Sequence, residues 1–296
     1  MTEQALEPSK EVAFVPVRGR GARHLAVGIV KVVVALLIGV LFVLPLLWLV
    51  SSALKTGGQE FAEPPNFIPH PFDWSNFSQI FSIVPFGQFY LNTTIIAVST
   101  VIGSVTSNVL VAYGFTRIRW PGRDVLFGVA LGTLMIPYLV ILVPQYVLFY
   151  HFGWINTFWP LIVPAFGANP FFIYMLRQFL RTIPEQLSDA ARVDGANELR
   201  IMFSVIIPQI KAAIGTVGIF SFFAAWNDFI GPLIYLDSEK NYTLALGLNL
   251  FVGTYSHSWA PLMAAVVLTM LPVAILFVLF QRTFLRGLRM SGLMKL

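Results

Sequence analysis

From Val32 to Leu54 the chain carries no charged residue, and Lys31 and Lys55 bound the run. A stretch of that length is too long for the apolar core of a cleavable signal, ~7–15 residues, and suits a membrane span of ~20. It is expected to stay in the mature protein as the first transmembrane helix. Such a segment restricts the fold, because a spanning backbone must satisfy its own polar groups, as a helix or a closed barrel does. Further apolar runs with helical lengths follow, so the expected class is all-α. Composition agrees: 57% of residues are hydrophobic and only 11% charged, with a mean hydropathy of +0.76.

Six spans are expected, at about 29–53, 90–113, 125–149, 157–176, 212–235 and 259–281. Residues 1–28 are polar and read as a flexible tail, leaving 29–296 as the membrane domain, and 55–88 form a loop rich in Pro, Phe and Asn. Pro137 and Pro144 predict a kinked third span. Pro160, Pro164, Gly167 and Pro170 make the fourth the least regular. Ser99, Gly103 and Ser107 recur every four residues of the second span, for close helix packing or for lining a polar path. With the N-terminus inside, 17 of the 19 Lys and Arg residues fall on the inner side, leaving Lys55 and Lys240 outside. The positive-inside rule then places both termini and the loop 177–211 in the cytoplasm.

That loop holds the longest charge-bearing interruption, Thr182–Pro208. It reads as two short helices joined by a turn. Thr182 and Glu185 have capping-box spacing, with Pro184 in the first turn. Asp194-Gly195 ends the first helix and Asn197 can cap the second, with Pro208 a further boundary.

Several chemistries are missing. There is no Gly-x-x-x-x-Gly-Lys-Ser/Thr loop for nucleotide, no His-Glu-x-x-His pair, and the four histidines lie far apart. Zero cysteines exclude disulfides and thiolate metal sites. The basic residues gather at span boundaries, so the charge of +5 does not point to nucleic acid. No metal or cofactor is expected on this chain, and no catalytic residue. The spans lack the paired ionisable groups of a proton-driven carrier. One acid, Asp228 in Trp226-Asn227-Asp228, is expected about sixteen residues into the fifth helix, ~24 Å along it and towards the outer face. Two readings stand: Trp226, Asn227 and Asp228 line a translocation path, or they form a structural hydrogen-bonding cluster.

Thr182–Pro208 resembles the cytoplasmic EAA loop of bacterial ABC-importer permeases. Asp189-Ala190-Ala191 leads to Gly195, and Val205, Ile207 and Pro208 fall at the closing positions. The sugar-importer form is matched by Ala190, Ala191, Asp194, Gly195, Ala196 and Phe203. Asp189 departs from the usual glutamate, one methylene shorter. Met135-Ile136-Pro137, Pro144, Gly153, Asn156-Thr157, Trp226-Asn227-Asp228 and the ending Gln281-Arg282, Gly287, Gly292, Lys295 are similar to MalG-like carbohydrate permeases. The resemblance implies a type I ABC importer permease fold. It also implies that the helix around Ser188–Val193 docks on a cytoplasmic ATPase dimer, which uses ATP and Mg. Leu187 would then give apolar contact, and Glu185, Asp189 and Arg192 charge pairing. The implied partners are a second, MalF-like permease, an extracytoplasmic sugar-binding protein, the sugar itself and membrane lipid. A di- or oligosaccharide is the expected cargo, with glycerol phosphate or a polyol as the alternative. A secondary carrier or channel is the more distant one.

Overall fold

The computed structural model describes residues 21–254 and 259–290. The remaining positions, which include Gly292 and Lys295 and most of the expected tail, lie outside the described residues. The described chain is helical, with no strand. Two compact units divide after Leu49. The first contributes most of α1 (Gly21–Ala53), which begins inside the segment expected as a tail. In the second, α2 (Asn76–Ile83) leads to α3 (Phe86–Thr116), then α4 (Arg123–Gly132) and α5 (Tyr138–His151). The fourth span comprises α6 (Trp159–Ile162), a tight turn at Val163–Gly167, and α7 (Pro170–Arg181). There follow α8 (Glu185–Val193), α9 (Glu198–Arg200), α10 (Lys211–Trp226), α11 (Ile230–Tyr235), α12 (Leu244–Thr254) and α13 (Trp259–Met290).

Among the described residues, four segments are long and apolar enough to cross a membrane: Ala26–Ala53, Phe86–Thr116, Trp159–Arg181 and Trp259–Gln281. Two bent pairs bring the number up to six, Arg123–Met135 with Tyr138–His151 at 99°, and Glu198–Gln209 with Lys211–Trp226 at 82°. The first bend lies at Ile136-Pro137. Ring crowding keeps Ile136 extended (φ −82°, ψ 115°), and Pro137 follows at ψ 137°, so the helix stops completely. Pro144, by contrast, stays inside α5.

The fifth span differs from expectation. Helix α10 ends at Trp226, and Asn227 to Phe229 interrupt it before α11. Asp228 therefore sits in a break and not inside a helix. The apolar pattern runs on through Phe229-Ile230-Gly231-Pro232, which is why it hides the interruption.

Helix α3 is the axis. At one end Val109, Ala112, Tyr113 and Phe115 pack with Phe127, Ile173, Leu176, Ile201, Met202 and Val217. At the other, Phe86, Phe89 and Ala97 join α2, α12, α13 and Trp226. Between them the small-residue stripe receives the irregular fourth span. A Cβ on Gly103 would lie 2.6 Å from the Phe166 ring, and Ser107 Oγ donates to the Ala165 carbonyl at 3.1 Å. Close packing is thus the use of that stripe. Asn156, held at φ 60°, ties the loop before the fourth span to the loop after α11. Its Oδ1 accepts from the Ser238 and Asp237 amides, and its carbonyl accepts from Asn241 Nδ2 at 2.7 Å.

Candidate functional site

The stretch from Thr182 to Pro208 folds as helix, turn and helix, but its start differs from the capping-box expectation. Thr182 closes α7, its Oγ1 donating back to the Phe179 carbonyl at 2.7 Å. Pro184 is the cap of α8 (ψ 137°), which makes Glu185 the first helical residue instead of the third. The reason is local. Ile183 precedes a proline and is disfavoured in the helical region, so no helix can start from Thr182. The Leu180 and Ile183 carbonyls at this junction both accept from the Arg117 guanidinium at 2.7 Å.

The end of α8 is a Schellman turn. The Ala196 amide donates to Ala191 at 2.9 Å and the Gly195 amide to Arg192 at 3.0 Å, with Gly195 left-handed at φ +81°. Its apolar contact is made by Ala191 and Ala196, which pack inward on the core. Asn197 then caps α9, Oδ1 accepting from the Arg200 amide at 2.8 Å, as its position in the sequence predicts. A π-helical segment, Ile201–Ile206, buries Ile201, Met202 and Ile206, and Pro208 falls in the tight turn before α10.

Arg192 joins the pieces. Its Nη1 donates to Asp189 Oδ1 at 2.7 Å and its Nε to Glu198 Oε1 at 2.9 Å. Glu198 Oε2 accepts from the Tyr113 hydroxyl of α3 at 2.7 Å. The hydrogen bond to Glu198 foremost, and the one to Asp189, raise the Arg192 pKa above its already high value, so it is a fixed cation. Both side chains of the Arg192–Glu198 pair are nearly half exposed, at 41% and 45%, which limits the worth of the contact. Glu185 meets Arg119 at 3.3 Å, with both ends open to solvent.

The outward face carries apolar side chains: Leu187, Val193 at 88% exposure, Leu199 and Phe203. Ala190 and Asp194 are exposed beside them, whereas Ala191 turns inward. Sequence reasoning singled out Leu187 and Phe203 but missed Val193, Leu199, Glu198 and Tyr113. Helical spacing from Leu187 and Ala190 could have found Val193. Tyr113 is 85 residues from Glu198, and no local pattern joins them.

The other candidate residues lie where α10 breaks. Trp226 is 3% exposed, donates from Nε1 to the Thr269 carbonyl at 3.1 Å, and stacks on Phe222 at 5.2 Å. Asn227 is exposed and donates to the Phe223 carbonyl at 2.9 Å. Asp228 is half-buried, its Oδ1 accepting from the Gly231 amide at 3.1 Å at the start of α11. A Cβ on Gly231 would collide with this carboxylate and with Leu161, so the break is held tightly.

Comparison with known proteins gives the lineage of this architecture. The chain is 30% identical to the sn-glycerol-3-phosphate transport system permease protein UgpE of Yersinia pestis bv. Antiqua (strain Antiqua), over 86% of this chain and 94% of that one. It is 31% identical to the diacetylchitobiose uptake system permease protein NgcG of Streptomyces coelicolor, over 82% and 81%. With the sulfoquinovosyl glycerol transport system permease protein SmoH of Agrobacterium fabrum the identity is 29%, over 84% and 88%. A chain from the crystal structure of a bacterial ABC transporter involved in the import of the acidic polysaccharide alginate shares the fold. There the TM-score is 0.77 at 23% identity, covering 90% of this chain and 99% of that one. Residues 99–290, which hold both candidate sites, match the family described as the binding-protein-dependent transport system inner membrane component, and the chain is a member of that family of permeases.

Proposed function

We propose that this permease is the transmembrane subunit of an ATP-driven importer for a di- or oligosaccharide, driven by a separate ATPase through α8. One observation carries the reading. Helix α8 ends in a fixed Schellman turn, is tied through Arg192 and Glu198 to α3, and turns Leu187, Ala190 and Val193 outward. An apolar outer face on a braced short helix suits a groove on a partner. The chain itself has no phosphate loop, so ATP and Mg would be held by that partner, an ATPase dimer. A second permease would complete the path and an extracytoplasmic binding protein would deliver cargo. Asp228 and Asn227, at the break in the fifth span, would face the path, with Trp226 holding the break against α13.

The cargo reading rests on relatives named for diacetylchitobiose uptake and sulfoquinovosyl glycerol transport. The relative named for glycerol phosphate favours the rival cargo. A reconstituted complex with its own binding protein separates them. Oligosaccharide should stimulate ATP hydrolysis and glycerol phosphate should not, and Asp228→Leu should depress uptake at normal assembly. Stimulation by glycerol phosphate alone would overturn the sugar assignment. A complex purified without any ATPase subunit, transporting normally, would overturn the whole reading.

Orientation follows from the charge distribution, with both termini and residues 177–211 inside. The natural absence of cysteine makes this directly measurable. A thiol placed by Gln186→Cys should react with an impermeant maleimide only in inverted vesicles, and one placed by Glu239→Cys only in whole spheroplasts. The opposite pattern would invert the topology.

A further inference from the structure

Against α8 lies a second feature, a cleft whose arginines 117, 119, 123, 177 and 181 the transport reading does not use. The loop after α3, the start of α4, the last turn of α7 and the first turns of α8 enclose an open cleft of about 1090 Å³. Arginines 117, 119, 123, 177, 181 and 192 line it, against the four carboxylates of Asp124, Glu185, Asp189 and Glu198. Those acids are already engaged. Asp124 takes Arg177 at 2.9 Å and Arg123 at 3.5 Å, Glu185 takes Arg119, and Asp189 and Glu198 share Arg192. Arg117 spends its guanidinium on two carbonyls and meets no carboxylate, and Arg181 makes no ion pair among the described residues. Six cations against four anions leave an excess of two positive charges.

Donors also outnumber acceptors in the wall. Arg117 Nε, Arg177 Nε and Ser188 Oγ are buried without a hydrogen-bond partner, and Ser188 is only 2% exposed. These atoms are closed off from the opening, so an acceptor entering the cleft would meet the exposed side chains of Arg119 and Arg181 instead. The position narrows which acceptor. The cleft opens where the apolar helix α3 ends, beside the exposed Ile118 and Trp120, and α4 presents Val125, Leu126 and Val129 outward from its mouth. Cationic cleft, interfacial aromatic and apolar helix face together match an amphiphile with a negative head.

We propose that this cleft binds the phosphate headgroup of an anionic phospholipid, with its acyl chains against the outer face of α4. Guanidinium forks suit phosphate oxygens, and a diester at the membrane surface reaches the cleft without leaving the bilayer. The site needs only that the loop 117–122 lies at a membrane boundary. It is independent of the cargo and of which side of the membrane faces the cytoplasm.

Native mass spectrometry of the full-length chain in its assembled complex tests this, using phosphatidylglycerol and phosphatidylcholine in equal amounts. The phosphatidylglycerol adduct should persist under activation that strips phosphatidylcholine. Arg119→Gln and Arg181→Gln should each lower its occupancy by about fivefold, the effect of one interfacial cation. Lys substitutions at the same positions should restore part of it, while Lys211→Gln, outside the cleft, should change nothing. Equal retention of the two lipids overturns the proposal, and that arm needs no variant. Retention of inorganic phosphate with no lipid preference would assign the cleft to a soluble anion instead. Loss of the lipid adduct whenever the ATPase is bound would make the cleft part of the protein interface, which also overturns it.

Discussion

Replacing Gly195 with valine is expected to leave the chain inserted and assembled, and to cut substrate-stimulated ATP hydrolysis by about tenfold. Gly195 stands at φ +81°, and nothing lies within 4 Å of where its Cβ would be, so crowding by neighbours plays no part. The cost is in the backbone. A left-handed residue with a side chain costs roughly 1–2 kcal/mol, and a β-branched one has the least freedom there. Release of that strain opens the Schellman turn, whose two hydrogen bonds contribute about 0.5–1.5 kcal/mol each. That strain of roughly 1–2 kcal/mol, set against the hydrogen bonds of the turn, corresponds to a fall of about one decade in the population that keeps α8 in its present direction. Asparagine tolerates the left-handed region, so Gly195→Asn should keep most of the activity. Normal stimulation in the valine variant, at wild-type levels of assembled complex, would show that the turn does not aim the helix.

What could be read from the sequence at this site was whatever the backbone decides locally. Gly195 and Asn197 do what their positions predict, because a left-handed C′ residue and an N-cap depend on few neighbours. Pro137 breaks its span for an equally local reason. The capping box failed because two local rules compete at Thr182-Ile183-Pro184, and the steric restriction before proline overrides side-chain capping. Residues that act across the fold gave no such signal. Hydropathy could not show that α10 stops at Trp226, since membrane helices and buried breaks are written in the same apolar residues. Nor could it show that Ala191 turns inward while Ala190 stays exposed, which depends on how α8 lies on the π-helical segment.

Glu198→Ala is expected to lower stimulated hydrolysis by roughly five- to thirtyfold while the complex still assembles. The carboxylate bridges Arg192 of α8 and Tyr113 of α3, so its removal leaves both donors without this acceptor. Hydrogen bonds to charged groups contribute about 1.5–3 kcal/mol, and the half-exposed geometry reduces this to about 1–2 kcal/mol. Tyr113→Phe removes one of the same bonds and should have a smaller effect. The double variant should then fall no further than Glu198→Ala alone, because the two residues share the contact. Fully additive losses would mean that Tyr113 and Glu198 act separately. The route matters because α3 continues to the far side of the membrane domain. There Asn92 donates to the Lys240 and Tyr242 carbonyls at 2.9 Å, and Thr93 Oγ1 accepts from the Leu244 amide at 2.8 Å. Between those ends Ser104 and Ser221 join α3 to α10 at 2.8 Å, in the helix that leads to the break at Asp228. Through one continuous helix, α3, the Glu198 contact is linked both to that opposite loop and to the helix that leads to the broken span. Glu198→Ala removes the link from α8 to α3 while leaving the outward residues Leu187, Ala190 and Val193 in place.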